Sequence, residues 1–304
     1  MPRPENRRPL WGLEPASHLP DAHGGAYKPI PLILEDEDLE RLSWPRCEVD
    51  EPARIALEEQ AAALLGGRLQ VKFAGDELGC GPFEWAVRFC SMNQLLYDVY
   101  DRPAFVHRLM EFFTEGTLRY QQSREKAGLV DATQFDWHAV YDEVPADLSP
   151  TSLAATWAYV HAQSAASFSP EMYAEFIQPY NARVASLYWR VYYHGCEDLS
   201  RKASVIRDLP HLALFHISPW TPPAPVVETL GTNVAYEVHS HPTRVLFDDT
   251  ETEMVRDLQE REAVMRGLPH SLTLCDVETF NGRLDRLVRW AERAREEADR
   301  AGGS

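Results

Sequence analysis

The sequence predicts an α/β fold in which strand–helix units build a (β/α)8 TIM-barrel-like domain that is incomplete at its N-terminus. Short runs of β-branched and aromatic residues alternate with amphipathic helical patterns from residue 190 onward. Their connections are short, which is typical of a parallel sheet with helices outside it. The 304 residues suit one large barrel or two modest domains.

The first half of the chain is mainly helical by pattern. Residues 1–45 are rich in Pro, His, Gly and Arg without periodicity, so we expect an irregular arm before a single barrel domain over 46–304. Acidic starts, helical spacing of apolar residues and glycine stops predict helices over 50–67, 83–100, 102–128 and 151–165. Strands are predicted over 69–75 and 131–137.

In the second half of the chain, predicted strands and helices alternate regularly. Strands are predicted over 190–195, 213–220, 233–240 and 271–277, and helices over 169–189, 201–209, 224–231, 251–267 and 282–300. The first of these helices begins with Ser169 as N-cap and Pro170 in the first turn. About seven strands can be predicted where a closed barrel needs eight. A second chain could supply the missing strand, which keeps a homodimer among the expectations.

Composition excludes several classes of protein. With 44% hydrophobic and 25% charged residues the chain is typical of globular proteins. The net charge of −17 disfavours nucleic acid and anionic membranes as partners. No signal peptide or bilayer-length apolar run is visible. Five scattered cysteines fit a reducing compartment, so we expect a cytoplasmic protein with no membrane partner.

His194, Cys196 and Cys275 are the candidate metal ligands. The first two follow one predicted strand at positions i and i+2, so their side chains share a face, and Cys275 ends another strand. Parallel strands bring their carboxyl ends to one edge of the barrel, where active sites lie. One imidazole and two thiolates suit a catalytic Zn²⁺ with one open position. The alternative is that both cysteines are ordinary buried residues.

Further polar residues lie at or near the same predicted strand ends. Glu197, His239 and Asp276 are the acid–base candidates. Glu197 could also be a fourth metal ligand or orient His194, or it could simply complement the dipole of the next helix. Glu237 and His239 alternate with His241, for which a loop position is favoured over a role in ligation. Substrate contacts are expected from a wider set: Tyr193, Ser218, Trp220, Glu237, Gln163 and His138.

These segments together resemble the uroporphyrinogen decarboxylase superfamily, which also contains cobalamin-dependent methyltransferases. The resemblance covers residues 50 to 295 approximately. It is densest in SPEMYAEFIQPYNARV (169–184), YYHGCEDL (192–199), LPHLALFHISPW (209–220) and LTLCDVETFNGRLDRLVRW (272–290). It implies a barrel fold and an active site at the carboxyl ends of the strands.

The methyltransferase branch resembles the chain through its His-x-Cys and distant Cys, which in that branch hold zinc. Carried over, the ligands are His194, Cys196 and Cys275. The zinc would activate a thiol to accept a methyl group from a corrinoid that a partner protein carries. Glu197 stands where these methyltransferases usually have glycine. The segment RRPLWGLEP does not reproduce the decarboxylases' arginine-rich segment, which disfavours a porphyrinogen substrate.

The leading hypothesis is therefore a zinc-dependent methyltransferase-like enzyme that moves a methyl group between a corrinoid or small methyl donor and a thiol. The second is a metal-independent decarboxylase or other lyase that uses Glu197, His239 and Asp276. The third is a non-catalytic barrel that binds a tetrapyrrole, a corrinoid or a partner protein.

Overall fold

A five-stranded parallel sheet dominates the second half of the molecule. The computed structural model describes residues 9–18, 28–66, 68–69, 78, 81–132, 144–248, 250–280 and 282–302. The strands stand in sequence order: β3 (Trp157–His161), β4 (Arg190–His194), β5 (Leu212–Ile217), β6 (Ala235–His239) and β7 (His270–Thr273). The described part of the chain thus has an α/β fold. Complete barrel closure stays a prediction, because the predicted strands 69–75 and 131–137 lie almost wholly outside these residues.

Helices follow the strands as the alternating pattern predicts. They are α5 (Pro170–Phe176), α6 (Gln178–Ala185), α7 (Ala203–Ile206), α8 (Pro223–Leu230), α9 (Pro242–Leu246), α10 (Thr252–Met265) and α11 (Leu284–Gly302). The predicted helix 169–189 is divided at Ile177, whose backbone leaves helical geometry at φ −126°. Pro179 follows two residues later, where its fixed ring suits the first turn of a new helix.

The first half carries two short strands, a 3-10 helix (Asp36–Arg41) and four α-helices among the described residues. β1 (Ala16–His18) pairs antiparallel with β2 (Lys28–Ile30). The helices are α1 (Glu51–Leu65), α2 (Pro82–Cys90), α3 (Met92–Asp101) and α4 (Pro103–Lys126). The helix predicted over 83–100 is broken between α2 and α3 by Ser91, which has φ +67° and accepts a hydrogen bond from the Gln94 N–H.

Part of the expected N-terminal arm packs into the core. Trp11 is buried, and its ring centroid lies 4.8 Å from that of Phe113 and 5.4 Å from that of Trp85. Gly116 on α4 permits this approach, since a Cβ there would lie 2.4 Å from the Trp11 ring. The arm therefore helps to cover α2 and α4. The domain boundary at residue 45 stays a prediction.

The sequence-based prediction was wrong for residues 151–165. This stretch forms a 3-10 turn (Leu153–Ala155), the strand β3 and a second 3-10 helix (Gln163–Ser167). Burial alternates along β3, with Ala158 and Val160 buried between more exposed neighbours. Such period-2 burial is the mark of a strand.

The two faces of the sheet differ in chemistry. One face joins the main hydrophobic core beneath the helices through Val191, Tyr193, Phe215, Ile217, Tyr236 and Val238. The opposite face carries Tyr192, His194, Leu214, His216, Glu237 and His239, all buried. Buried polar groups are costly unless they have partners, so this second face is where a functional site is expected.

Candidate active site at the carboxyl ends of the strands

The sheet brings together a histidine from each of four neighbouring strands, with His239 two residues beyond the position that pairs with His216. His161 pairs with His194 in the β3–β4 ladder, and His216 pairs with Glu237 in the β5–β6 ladder. The β4–β5 register shifts between Val191 and Tyr192, after which Tyr193 pairs with Phe215. This shift places His194 beside His216. We call His161, His194, His216 and His239 the histidine row.

The imidazole rings in the row are closely packed. The His194 and His216 rings are stacked, with centroids 4.2 Å apart and planes 4° from parallel. The His239 ring meets His216 edge-on with the same centroid separation of 4.2 Å. Tyr159 adds an aromatic wall, its ring centroid 5.3 Å from that of His194. Three imidazoles of the row and the Tyr159 ring therefore form one compact group.

His194 and Cys196 are brought together as their i and i+2 spacing predicts. The Nε2 atom of His194 lies 3.8 Å from the Sγ atom of Cys196. Zinc bonds of about 2.3 Å to sulfur and about 2.0 Å to nitrogen, at tetrahedral angles, separate such atoms by about 3.5–3.6 Å. The observed separation is slightly longer, so a small adjustment of the side chains would let both atoms bind one cation.

Cys275 lies two residues beyond β7 and is half-buried. Its sulfur is not brought into one group with the other two predicted ligands, because among the described residues the donor atoms of His194, Cys196 and Cys275 do not all lie within 4.8 Å of one another. Burial, then the charges of Asp276, Glu197 and Cys275, raise the pKa of the Cys196 thiol to about 12. Burial also raises the pKa of Cys275. A bound cation would reverse this effect, because metal coordination deprotonates a thiol.

Glu197 and Lys202 form a second, deeper polar pair. The Lys202 Nζ atom lies 3.6 Å from Glu197 Oε1 and donates a hydrogen bond of 2.6 Å to the Ala165 carbonyl oxygen. Burial raises the pKa of Glu197 to about 7 against the opposing pull of Lys202. Gly195 makes room for this carboxylate, since a Cβ there would lie 2.5 Å from Glu197 Oε2.

Glu237 occupies the centre of a buried network. The Tyr192 hydroxyl donates a short hydrogen bond to its Oε2 atom, and His239 Nε2 lies 3.2 Å from the same oxygen. Burial and the neighbouring Glu237 charge raise the pKa of Tyr192, so its hydroxyl keeps its proton. Donor atoms of His216, Glu237 and His239 all lie within 4.8 Å of one another.

No protein-family model and no curated protein sequence matches the chain. A solved methyltransferase from Methanosarcina mazei has a similar fold, with a TM-score of 0.55 at 12% sequence identity. The alignment covers 96% of this chain and 78% of that one. The chain shares the fold of that methyltransferase. At this identity the likeness concerns the fold alone, and the site has to be interpreted from its own residues.

The other predicted site residues are distributed around the cluster. Ser218 is buried. Its hydroxyl donates a hydrogen bond of 3.0 Å to the Glu197 carbonyl oxygen and lies 2.9 Å from the Thr221 hydroxyl. It therefore connects the loops that follow β4 and β5. Trp220 is half-exposed nearby, with its ring centroid 6.2 Å from that of His241. Asp276 is exposed beside Cys275 with φ +56°.

Three predicted substrate contacts lie away from the cluster or outside the described chain. Gln163 is exposed at the start of its 3-10 helix. Tyr193 lies on the helix-facing side of the sheet, where its hydroxyl is 2.7 Å from that of Tyr173. His138 falls outside the described residues.

Sequence reasoning missed several residues of the cluster: Tyr159, His161, Tyr192 and His216. A signal was present, because HAQ, HGC, HIS and HSH follow four apolar runs in succession. Treating residues 151–165 as a helix hid the first of the four. His216 stands just inside its strand rather than after it, where end-of-strand reasoning did not look.

Proposed function

We propose that this protein is a zinc-dependent methyltransferase-like enzyme that moves a methyl group between a corrinoid or small methyl donor and a thiol. The observation that carries the proposal is the 3.8 Å separation of His194 Nε2 and Cys196 Sγ at the carboxyl edge of a parallel sheet. The fold shared with a solved methyltransferase supports it.

His194, Cys196 and Cys275 would hold the zinc, with Cys275 moving toward the other two, since the three donor atoms do not all lie within 4.8 Å of one another. Bound there, the metal would keep a substrate thiol ionised at neutral pH, since two thiolates and an imidazole leave little net charge on the dication and suit a further sulfur ligand. Asp276 and Glu197 add negative charge around Cys196, which favours a cation at this place.

The protein's further contribution is to position the reactants. The substrate sulfur would attack the methyl carbon in line, so the sulfur–carbon bond forms as the bond to the donor breaks, and the donor keeps the electron pair. Positioning supplies much of the rate of such a displacement. The half-exposed Trp220 offers an aromatic surface at the open edge, as a flat corrinoid carried by a partner protein would need.

Metal content and methyl transfer test this proposal together. Purified protein should contain about one zinc per chain bound through sulfur, and Cys275→Ala should lose it. Transfer from methylcobalamin to 2-mercaptoethanol should fall with the zinc. Cys47→Ala is the matched control, because Cys47 is also half-buried but lies beside Ser123 of α4. Retained sulfur-bound zinc and activity in Cys275→Ala would refute the ligand set.

The same purified protein distinguishes the other two functions. Absence of metal with release of carbon dioxide from a carboxylated substrate would favour a lyase that uses Glu197, His239 and Asp276. Metal-free protein that binds a corrinoid tightly without turnover would favour a binding barrel.

A further inference from the structure

His216, Glu237 and His239 form a second set of metal donors that the proposed zinc ligands do not include. Their donor atoms lie within 4.8 Å of one another, as two imidazole nitrogens and one carboxylate oxygen. All three side chains are buried, with exposures of 0%, 6% and 2%. Exposed acidic clusters are common without metals, but a carboxylate enclosed by two imidazoles is rarer, because burying such groups costs free energy.

The sheet itself fixes this arrangement. His216 and Glu237 are paired residues of adjacent parallel strands, and His239 follows Glu237 by two residues on the same face. The donors therefore stand on hydrogen-bonded strands rather than on loops. Sites built on such elements hold their geometry without ordering a flexible segment.

Contacts inside the set point to a shared ligand. His239 Nε2 is buried and lies 3.2 Å from Glu237 Oε2, yet its geometry makes no hydrogen bond there. A buried imidazole nitrogen without a hydrogen bond is costly unless it binds a ligand, so His239 Nε2 is available to a cation. The Gly195 N–H donates a long hydrogen bond of 3.4 Å to His216 Nδ1.

Tyr192 completes the environment of the carboxylate. Its hydroxyl donates to Glu237 Oε2, which fixes the orientation of the carboxylate from the neighbouring strand. Metal-binding carboxylates are commonly held by such outer hydrogen bonds.

We propose that His216, Glu237 and His239 bind one divalent cation of the zinc, ferrous or cobalt class, separately from the sulfur-containing set. Two imidazoles and one carboxylate suit these metals better than Mg²⁺ or Ca²⁺, which require mostly oxygen ligands. Three protein ligands leave coordination positions open, so this cation would accept a water or an oxygen atom of a substrate. The stacked rings of His194 and His216 place the two donor sets next to each other.

Cobalt(II) titration tests this site in isolation. In the Cys196→Ser/Cys275→Ser protein we expect one Co²⁺ per chain, with visible d–d absorption and no sulfur-to-cobalt charge-transfer band. Adding Glu237→Gln, which retains an oxygen acceptor for Tyr192, should weaken Co²⁺ binding at least about tenfold. His239→Gln should do the same. His241→Ala is the matched control, since this histidine is not among the three donors, and should change affinity less than about twofold.

Two results would overturn the site. One is no Co²⁺ binding by the folded double-cysteine variant. The other is binding that neither Glu237→Gln nor His239→Gln weakens, with near-UV circular dichroism showing that each variant is folded. Failure of the proposed zinc ligand set is visible separately, as a sulfur-to-cobalt charge-transfer band and methyl transfer that persist unchanged in the Cys275→Ala protein.

Discussion

Adjacent residues on β4 have opposite surroundings. His194 faces the polar cluster, whereas Tyr193 faces the helices and hydrogen-bonds to Tyr173. Burial raises the pKa of both tyrosines, so this hydroxyl pair stays neutral. Successive side chains of a strand point to opposite faces of the sheet, so a substitution at one of these residues should leave the surroundings of the other unchanged.

Replacing Tyr193 with Phe should therefore affect stability and not catalysis. The Tyr173 hydroxyl would lose its 2.7 Å partner and keep only the longer 3.3 Å bond from Asn181 Nδ2. Loss of one buried hydrogen bond should lower the free energy of unfolding by about 1 kcal/mol, measurable by urea titration. Methyl transfer should be unchanged, because the hydroxyl lies on the far side of the sheet.

Tyr97→Phe is the control for that change. Tyr97 is 67% exposed, so loss of its hydroxyl should change the free energy of unfolding little. A fall in methyl-transfer rate in Tyr193→Phe without a loss of stability would show that Tyr193 contacts substrate after all.

The residues of the site could be predicted only in part from sequence. The i and i+2 spacing sufficed for His194 and Cys196, because strand geometry fixes that relation locally. His216 comes beside His194 only through the register between two strands, which no local pattern encodes. The Tyr192–Glu237 hydrogen bond likewise joins residues 45 positions apart.

At the scale of elements, α10 and α11 are joined through one carboxylate. Glu251, the N-cap of α10, lies 2.7 Å from Arg289 Nε and 2.8 Å from Arg293 Nε, both on α11. These two guanidinium groups lower the pKa of Glu251 to about 2. The carboxylate also suits the positive N-terminal end of the α10 dipole.

The contacts of Glu251 with Arg289 and Arg293 should make the free energy of unfolding depend on pH. A carboxyl group whose pKa is lowered in the folded state contributes stability above its unfolded pKa of about 4.3, and loses it as pH falls toward the folded value. Glu251→Gln should therefore be less stable than the parent above about pH 5. The difference should shrink as the pH approaches about 2. Urea titrations at a series of pH values measure it.

Glu296→Gln provides the matched control for the helix contact. Glu296 pairs with Arg293 at 2.7 Å within α11 itself, so it does not join two helices. Exposed pairs of this kind contribute little. An equal loss of stability in both variants would show that Glu251 does not hold α11 against α10.

Elements with strong local signals were well predicted. Helix 50–67 has an Asp50 N-cap and ends at Gly66 in the left-handed conformation, close to the expected bounds. Residues 151–165 were predicted wrongly. The alanines on either side of WAYVH favour a helix locally, whereas WAYVH forms a strand because it pairs with β4. The break at Ser91 depends on a positive φ at a non-glycine residue, which sequence rarely reveals.

At the scale of the molecule, the polar cluster lies within the parallel sheet that organises the second half of the chain. None of the described helices is long and apolar enough to cross a bilayer. A cation bound across strands β4 to β7 would thus tie together elements that are distant in sequence. Ligands that bind only the folded state stabilise it by mass action.

Zinc should accordingly raise the melting temperature of chelator-treated protein. At a free concentration about 100 times the dissociation constant, a ligand adds about 2.7 kcal/mol of stability. We expect a rise of several degrees in differential scanning calorimetry, and a smaller rise for Cys275→Ala because the sulfur-containing set is then incomplete. Equal rises for both proteins would show that Cys275 does not bind the added zinc.

The irregularity at the base of β4 and β5 has a consequence for how such a cluster could change over evolution. Ahead of it Val191 pairs with Leu212, and beyond it Tyr192 pairs with Leu214, so Ala213 is the extra residue. If the strands paired without this irregularity, Ala213 would lie opposite Tyr192, and Phe215 rather than His216 would lie opposite His194. A slip of the pairing by one position at this point would therefore replace an imidazole by a phenyl ring beside His194, without any substitution there, whereas deletion of Ala213 would keep His194 and His216 as neighbours in a regular ladder.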